Sequence, residues 1–239
     1  MFKKVFLALC LINGIVFSSG AVHSQTLEPT NLLAYEGDNP SEATESDTEV
    51  KEAKVVLTPE DLPPGFQSLP PEFADQITSQ FKVLSEKLGQ GNLQPEDYFV
   101  LVSPNLTNLQ IVMGFTGKLE EGAIDNFDAN LEDMQKPESR EQVLALMQGA
   151  LKNFPGLAIV DYEELPLEEQ IADNSTGMRA TIKLQGRSFQ VDMVTFRREQ
   201  LGVLTGVMYF ENKEPKVSVT EVANKLDERI LNLLSTADN

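Results

Sequence analysis

Beyond residue 24 the chain contains neither cysteine nor histidine, and this absence restricts its folds and chemistries more than any other feature. Cys10 is its only cysteine and His23 its only histidine. From Gln25 onward no disulfide can form, so a fold there depends on burial of apolar side chains. Catalytic triads, Cys–His pairs, zinc and copper sites with nitrogen or sulfur ligands, and haem or iron–sulfur ligation are excluded. Carboxylate catalysis, Ser–Lys catalysis and oxygen-ligated Ca²⁺ or Mg²⁺ remain open, and we expect no cofactor.

Residues 1–24 have the order of a secretory signal peptide. A basic pair at positions 3–4 precedes an apolar run over residues 5–17. This run is shorter than the roughly 20 residues of a membrane-spanning helix. We expect cleavage after Ser24, with Ala21 as the alternative site. The competing interpretations of this segment are an uncleaved anchor and a lipid-modified Cys10. The pattern predicts export to a periplasm, an organelle lumen or the extracellular space.

Residues 25–54 are predicted to be a disordered acidic linker. Between Glu36 and Glu52 the sequence is rich in Glu, Asp, Ser and Thr, and Lys51 is its only basic residue. Such a segment buries too little apolar surface to order itself.

The whole chain has a formal net charge of −18, which disfavours nucleic acid and anionic membranes as partners. Solubility, cations or a basic partner surface are the interpretations that remain.

Residues 55–239 are predicted to form a single α+β domain. A proline-rich strap over Leu57–Pro71 enters it, with Leu62 and Phe66 as apolar anchors. A helix is predicted over Phe73–Leu88, because apolar residues recur there at steps of three and four. The domain is large enough for one apolar core.

Alternating apolar residues predict an antiparallel sheet with two further helices between its strands. The last three strands follow one another closely, so they form a meander whose final turn is predicted at Arg197–Gly202. The predicted strands cover residues 98–102, 109–115, 157–160, 178–184, 189–196 and 203–210, and the predicted helices cover 124–134 and 137–151.

A final helix follows the meander. Ser218 and Glu221 have the spacing of a capping box, in which each side chain accepts a hydrogen bond from the other residue's backbone amide. Leu226 and Ile230 belong to its apolar face. The fold class predicted from these elements is therefore α+β: an antiparallel sheet with a C-terminal meander, flanked by helices as an α/β/α sandwich.

Arg197 and Arg198 are the candidate partner-binding residues. Two adjacent arginines stand out in so acidic a chain, and at the tip of a hairpin they would attract an acidic partner. Adjacent strand residues point to opposite faces of a sheet. The alternative is a solubilising turn that pairs with Glu199. As exposed turn residues, their reversal to glutamate should change stability by no more than about 0.5 kcal/mol.

Two groups of acidic residues could suggest a cation site. One contains Asp125, Asp128, Asn130, Glu132 and Asp133, and the other contains Asp161, Glu163 and Glu164. The first departs from the calcium-loop pattern at its glycine and final glutamate positions. A solvated helix face explains it better, so neither group is assigned a metal, and no catalytic residue is assigned.

The C-terminal half resembles a known family. The text GMRATIKLQGRSFQVDMVTFRREQLGVLTGVMYFE, followed by VSVTEVANKLDERI, is similar to the PsbP-like extrinsic lumenal proteins of oxygenic photosynthesis and their relatives of the α/β/α sandwich fold. The resemblance covers about residues 98–234 and implies a non-catalytic accessory protein. The sequence differs from the family in its strap, its helix at Phe73–Leu88 and its acidic linker, and no functional residue is carried over.

Three functions follow as hypotheses. The first is an exported, non-enzymatic accessory or binding protein of an envelope or lumenal complex, with a protein partner. The second is a carboxylate-based hydrolase, which needs two acidic residues across a cleft. The third is a Ca²⁺-dependent binding module.

Overall fold

A computed structural model describes residues 54–70, 93–105, 107–151 and 156–237. The signal peptide, linker residues 25–53 and the helix predicted over Phe73–Leu88 lie outside these ranges. Seven strands and three α-helices are described. They are β1 (Gln67–Ser68), β2 (Leu93–Ser103), β3 (Gln110–Leu119), α1 (Ile124–Met134), α2 (Arg140–Leu151), β4 (Leu157–Glu164), β5 (Asn174–Leu184), β6 (Arg187–Arg198), β7 (Leu201–Phe210) and α3 (Val219–Ala237).

The strands form one sheet in the order β1-β2-β3-β7-β6-β5-β4, and every neighbouring pair is antiparallel. β5, β6 and β7 are consecutive in the chain and adjacent in the sheet, so the predicted meander is confirmed. Helices pack against this sheet, which confirms the α+β class. None of the described helices is long and apolar enough to cross a membrane.

One face of the sheet, called here the α3 face, packs against the final helix. Val194, Val203 and Val207 of the strands meet Leu226 and Ile230 of α3 there, and all five are fully buried. The capping box that starts this helix is present: the Glu221 amide donates to Ser218 Oγ at 3.2 Å, and Glu221 Oε2 accepts from the Ser218 amide at 2.7 Å.

The entry strap lies on the same face. Its anchors Leu62 and Phe66 are buried in the α3-face core, as predicted. Arg229 of α3 donates to Asp61 at 2.6 Å and to the Val56 carbonyl at 2.5 Å. The strap is therefore held by polar contacts as well as by apolar burial.

The opposite face, called here the α1/α2 face, carries the other two helices. Phe127 and Leu131 of α1 pack on Phe115 and Leu204, and α2 lies against β4. Their apolar spacing predicted this burial. Helices thus lie against both faces of the sheet, α3 on one face and α1 and α2 on the other.

The last hairpin is tighter than predicted. The turn expected at Arg197–Gly202 is only two residues long, because β6 continues to Arg198 and β7 begins at Leu201. Glu199 has a φ of 51°, the left-handed conformation that a two-residue hairpin turn requires. Both arginines are therefore strand residues, and the predicted turn boundary is wrong.

Candidate functional site

Arg197 and Arg198 point to opposite faces of the sheet, as predicted, and each holds a helix. Arg197 donates to the two Asp128 oxygens of α1 at 2.9 and 2.7 Å. Arg198 donates to the two Asp227 oxygens of α3 at 2.8 and 2.6 Å. The end of β6 is therefore tied to a helix on each face by a bidentate ion pair.

Asp173 joins the two pairs at the end of β6. Its carboxylate accepts from Arg197 Nη1 at 3.0 Å, from Arg198 Nη1 at 3.1 Å and from the Glu199 amide at 2.6 Å. The five residues Arg197, Arg198, Asp128, Asp173 and Asp227 are called here the arginine clamp. Two guanidinium groups face three carboxylates in it, so the clamp carries no excess positive charge.

The clamp stabilises the charged state of Asp128, Arg197 and Arg198. Hydrogen bonds from Arg197 hold the pKa of Asp128 below its usual value. Hydrogen bonds to Asp128 and Asp227 raise the pKa values of Arg197 and Arg198, respectively, above the ordinary arginine value. Asp128, Arg197 and Arg198 therefore remain ionised at neutral pH.

The expectation of an exposed basic turn is wrong. The Arg197 side chain is only 14% exposed, and it donates to the Glu199 carbonyl rather than to the Glu199 carboxylate. The physical reason is that α1, α3 and the segment before β5 bring aspartates to this point from distant parts of the sequence. Partner binding by Arg197 and Arg198 stays a prediction.

Pairing with aspartate is the rule for arginine in this fold, and Arg187 is the exception. The chain has six arginines, all within the described ranges. Arg187 contacts no carboxylate in the part of the chain that the structure describes. The five paired arginines are Arg140 with Asp161, Arg179 with Asp192, Arg197 with Asp128, Arg198 with Asp227 and Arg229 with Asp61.

Arg187 lines a solvent-open pocket at the opposite end of β6 from the clamp. The volume of this pocket is about 460 Å³. Lys213 supplies a second positive charge, and Glu211 is the only carboxylate among the lining residues. These residues, called here the Arg187 pocket, are Thr107, Arg187, Ser188, Phe210, Glu211, Asn212 and Lys213.

Local turns position these side chains. Gln185 and Gly186, with φ values of 50° and 79°, form the two-residue turn that starts β6 at Arg187. The Lys213 amide donates to the Phe210 carbonyl at 2.9 Å, which folds Lys213 back towards the end of the sheet. The pocket is thus built from two hairpin ends and combines a guanidinium, an ammonium and an aromatic ring.

A third polar group is buried on the α3 face. Asp192, 5% exposed, accepts from Arg179 Nε at 2.6 Å and from the Tyr209 hydroxyl at 2.9 Å. Burial, together with the hydrogen bond to Asp192, raises the pKa of Tyr209 to about 12. A tyrosine with such a pKa stays protonated at neutral pH, so it does not act as a general base there. We interpret this group as a cross-link between β5, β6 and β7.

The predicted acidic groups lie apart from the pocket. In the α1 group, Asp128 belongs to the clamp, while Asp125 and Glu132 are exposed. In the β4 group, Asp161 pairs with Arg140. Across the described ranges, no three acidic side chains are arranged to hold a metal ion.

Comparison with known proteins gives little further information. No protein-family model and no curated protein matches the chain. Among solved structures, the chain is similar to LpqN, a protein involved in cell envelope biogenesis of Mycobacterium tuberculosis. The identity is 14%, the match covers 70% of this chain and 78% of LpqN, and the TM-score is 0.28. A likeness at this level supports no argument about function, and the resemblance to PsbP-like proteins is unconfirmed.

Sequence reasoning missed Arg187 and Lys213. It favoured Arg197 and Arg198 because two adjacent cations are visible in a sequence, whereas Arg187 and Lys213 are separated by two strands' length of chain. The antiparallel pairing of β6 with β7 brings them together. Only a register prediction for that hairpin would have placed the two cations at one end of the sheet.

Proposed function

We propose that this chain is an exported, non-catalytic accessory protein that binds an acidic segment of a partner protein at the Arg187 pocket. The supporting observation is that Arg187, alone among the arginines, holds no carboxylate within the described residues, and that it shares an open pocket with Lys213. The other five guanidinium groups are already occupied by aspartates.

The chemistry of the pocket fits a carboxylate ligand. A guanidinium group presents a planar fork of donors that matches a carboxylate in a bidentate contact. Lys213 adds a flexible point charge beside it. Because the chain as a whole has a formal charge of −18, an acidic partner would be repelled from most of the surface. Such a charge pattern favours one docking orientation.

A hydrolase is supported less well by this geometry. A carboxylate-based hydrolase needs two acidic groups facing each other across the site. Glu211 is the only acidic residue that lines the pocket. The proposal of a binding function therefore uses the residues that are present, whereas a hydrolase would need a carboxylate from elsewhere.

The test is a binding titration with fluorescein-labelled hexaglutamate peptide against the full exported chain. We expect the double variant Arg187→Gln/Lys213→Gln to raise Kd at least tenfold, which corresponds to about 1.4 kcal/mol. The matched control is Lys118→Gln/Lys225→Gln, which removes the same charge from two exposed lysines elsewhere. Equal losses in both variants, or no binding by the unmodified chain, would overturn the proposal.

A further inference from the structure

A strip of half-buried apolar side chains lies on the α1/α2 face and begins at the Arg187 pocket. It consists of Val191 and Met193 of β6 and Met208 and Phe210 of β7, and is called here the methionine strip. Each of these four side chains packs against the core cluster of this face but is only partly buried. The central strands of the opposite face, by contrast, present Val194, Val203 and Val207 fully buried under α3, as described above.

The strip and the pocket are continuous. Phe210 belongs to both, and its ring stacks on Phe189 with centroids 4.9 Å apart. Val191 is the register partner of Met208, and Met193 is the register partner of Gly206. Met193 lies six positions after Arg187 on β6, a distance of roughly 20 Å along a strand. This length suits about six extended residues or about 13 helical residues of a ligand.

Methionine is common on this face of the sheet. The chain has seven methionines, and six of them belong to the α1/α2-face cluster: Met113, Met147 and Met178 are buried, and Met134, Met193 and Met208 are partly buried. Thioether side chains are flexible and polarisable, so they adapt to apolar groups of different shapes. A partly exposed methionine surface is therefore suited to binding the apolar side of a peptide.

We propose that the partner segment is amphipathic, with an acidic end held by Arg187 and Lys213 and an apolar side laid along the methionine strip. This inference rests on the proposed function and names the ligand class. Charge complementarity fixes the orientation, because both cations lie at one end of the strip. A peptide fits better than a lipid chain, since the pocket is open to solvent and lipid-sized ligands are usually enclosed.

The experiment selects random 15-residue peptides, displayed on phage, against the full exported chain. Peptides that bind are then synthesised and titrated against three variants: Arg187→Gln/Lys213→Gln, Met193→Gln/Met208→Gln and Leu231→Gln. Glutamine is close to methionine in size, and Leu231 is an exposed apolar control, 46% exposed on α3. Met193→Leu/Met208→Leu should restore binding, and thermal unfolding of every variant shows whether folding is retained.

We expect the selected peptides to place acidic residues beside apolar ones, and to lose at least tenfold in affinity in both the pocket and the strip variants, but not in Leu231→Gln. Acidic peptides that depend on the pocket alone would overturn this inference and leave the proposed function standing. Peptides insensitive to Arg187 and Lys213 would overturn both. Binding of fluorescent dodecanoate in place of any peptide would overturn the peptide assignment.

Discussion

The two ends of β6 carry arginines in opposite situations. At its end, Arg197 and Arg198 are enclosed by three aspartates and connect the sheet to α1 and α3. At its start, Arg187 is exposed beside an open pocket. The same residue type thus stabilises the fold at one end and is available to a ligand at the other. The difference lies in which acidic residues the tertiary structure brings near, and not in the local sequence.

The largest expected effect is on stability, and it distinguishes the clamp at the end of β6 from Arg187 at its start. Arg197→Glu/Arg198→Glu should lower the free energy of unfolding by about 3–5 kcal/mol, since it breaks mostly buried pairs and leaves Asp128, Asp173 and Asp227 facing new negative charges. Urea unfolding at neutral pH measures this. A loss below about 0.5 kcal/mol would show that the clamp contributes little to stability.

This prediction reverses the expectation drawn from the sequence, and the reason is physical. The meander, the capping box and the burial of Leu226 were predicted correctly, because each depends on the spacing of residues close together in the sequence. The clamp depends on Asp128, Asp173 and Asp227, which lie up to 69 residues away from the arginines they hold. Long-range pairing of charges leaves no periodic signal in a single sequence.

Strand ends were also harder to predict than strand centres. β2 was expected at residues 98–102 but begins at Leu93, and a register shift lies between Pro95 and Asp97. β4 continues past its predicted end through a similar shift between Ile159 and Asp161. A bulge inserts an extra residue and breaks the alternation on which the prediction depends.

A smaller effect is expected at the residue that joins the clamp. Asp173→Asn should cost about 1–3 kcal/mol, since an amide can turn only one oxygen towards the donors that now share a carboxylate. Chemical denaturation of Asp173→Asn, of the single variants Arg197→Gln and Arg198→Gln, and of Asp173→Asn combined with each of them gives the coupling between the sites. Strictly additive losses would contradict a shared network and imply two independent ion pairs.

The stability that the clamp contributes should also decrease at acidic pH. Because Arg197 lowers the pKa of Asp128 in the folded protein relative to the ordinary value of 3.8, this carboxylate stabilises the fold fully above that value. The contribution is lost as the pH falls through the lower folded pKa. The stability difference between the unmodified chain and Asp128→Asn should therefore shrink, by up to about 1 kcal/mol, between pH 6 and pH 3.

Urea unfolding at several pH values in this range measures that difference. Asp125→Asn is the control, since it alters an exposed carboxylate on the same helix that has no arginine partner among the described residues. If the difference for Asp128→Asn stayed constant down to pH 3, the bidentate contact with Arg197 would not be contributing through the ionised carboxylate.

The smallest expected effect belongs to the start of β6. Arg187→Gln should change the free energy of unfolding by no more than about 0.5 kcal/mol, because the side chain is exposed and releases no carboxylate among the described residues. Calorimetric and urea unfolding of this variant beside Arg197→Gln measures the contrast directly. A loss above about 1 kcal/mol would mean that Arg187 is held by residues outside the described ranges, and its availability to a ligand would no longer follow. If Arg187→Gln leaves stability unchanged but weakens the affinity for acidic peptide, binding and folding are separated at a single residue. Arg197 and Arg198 cannot show this separation, because their guanidinium groups already hold the sandwich together.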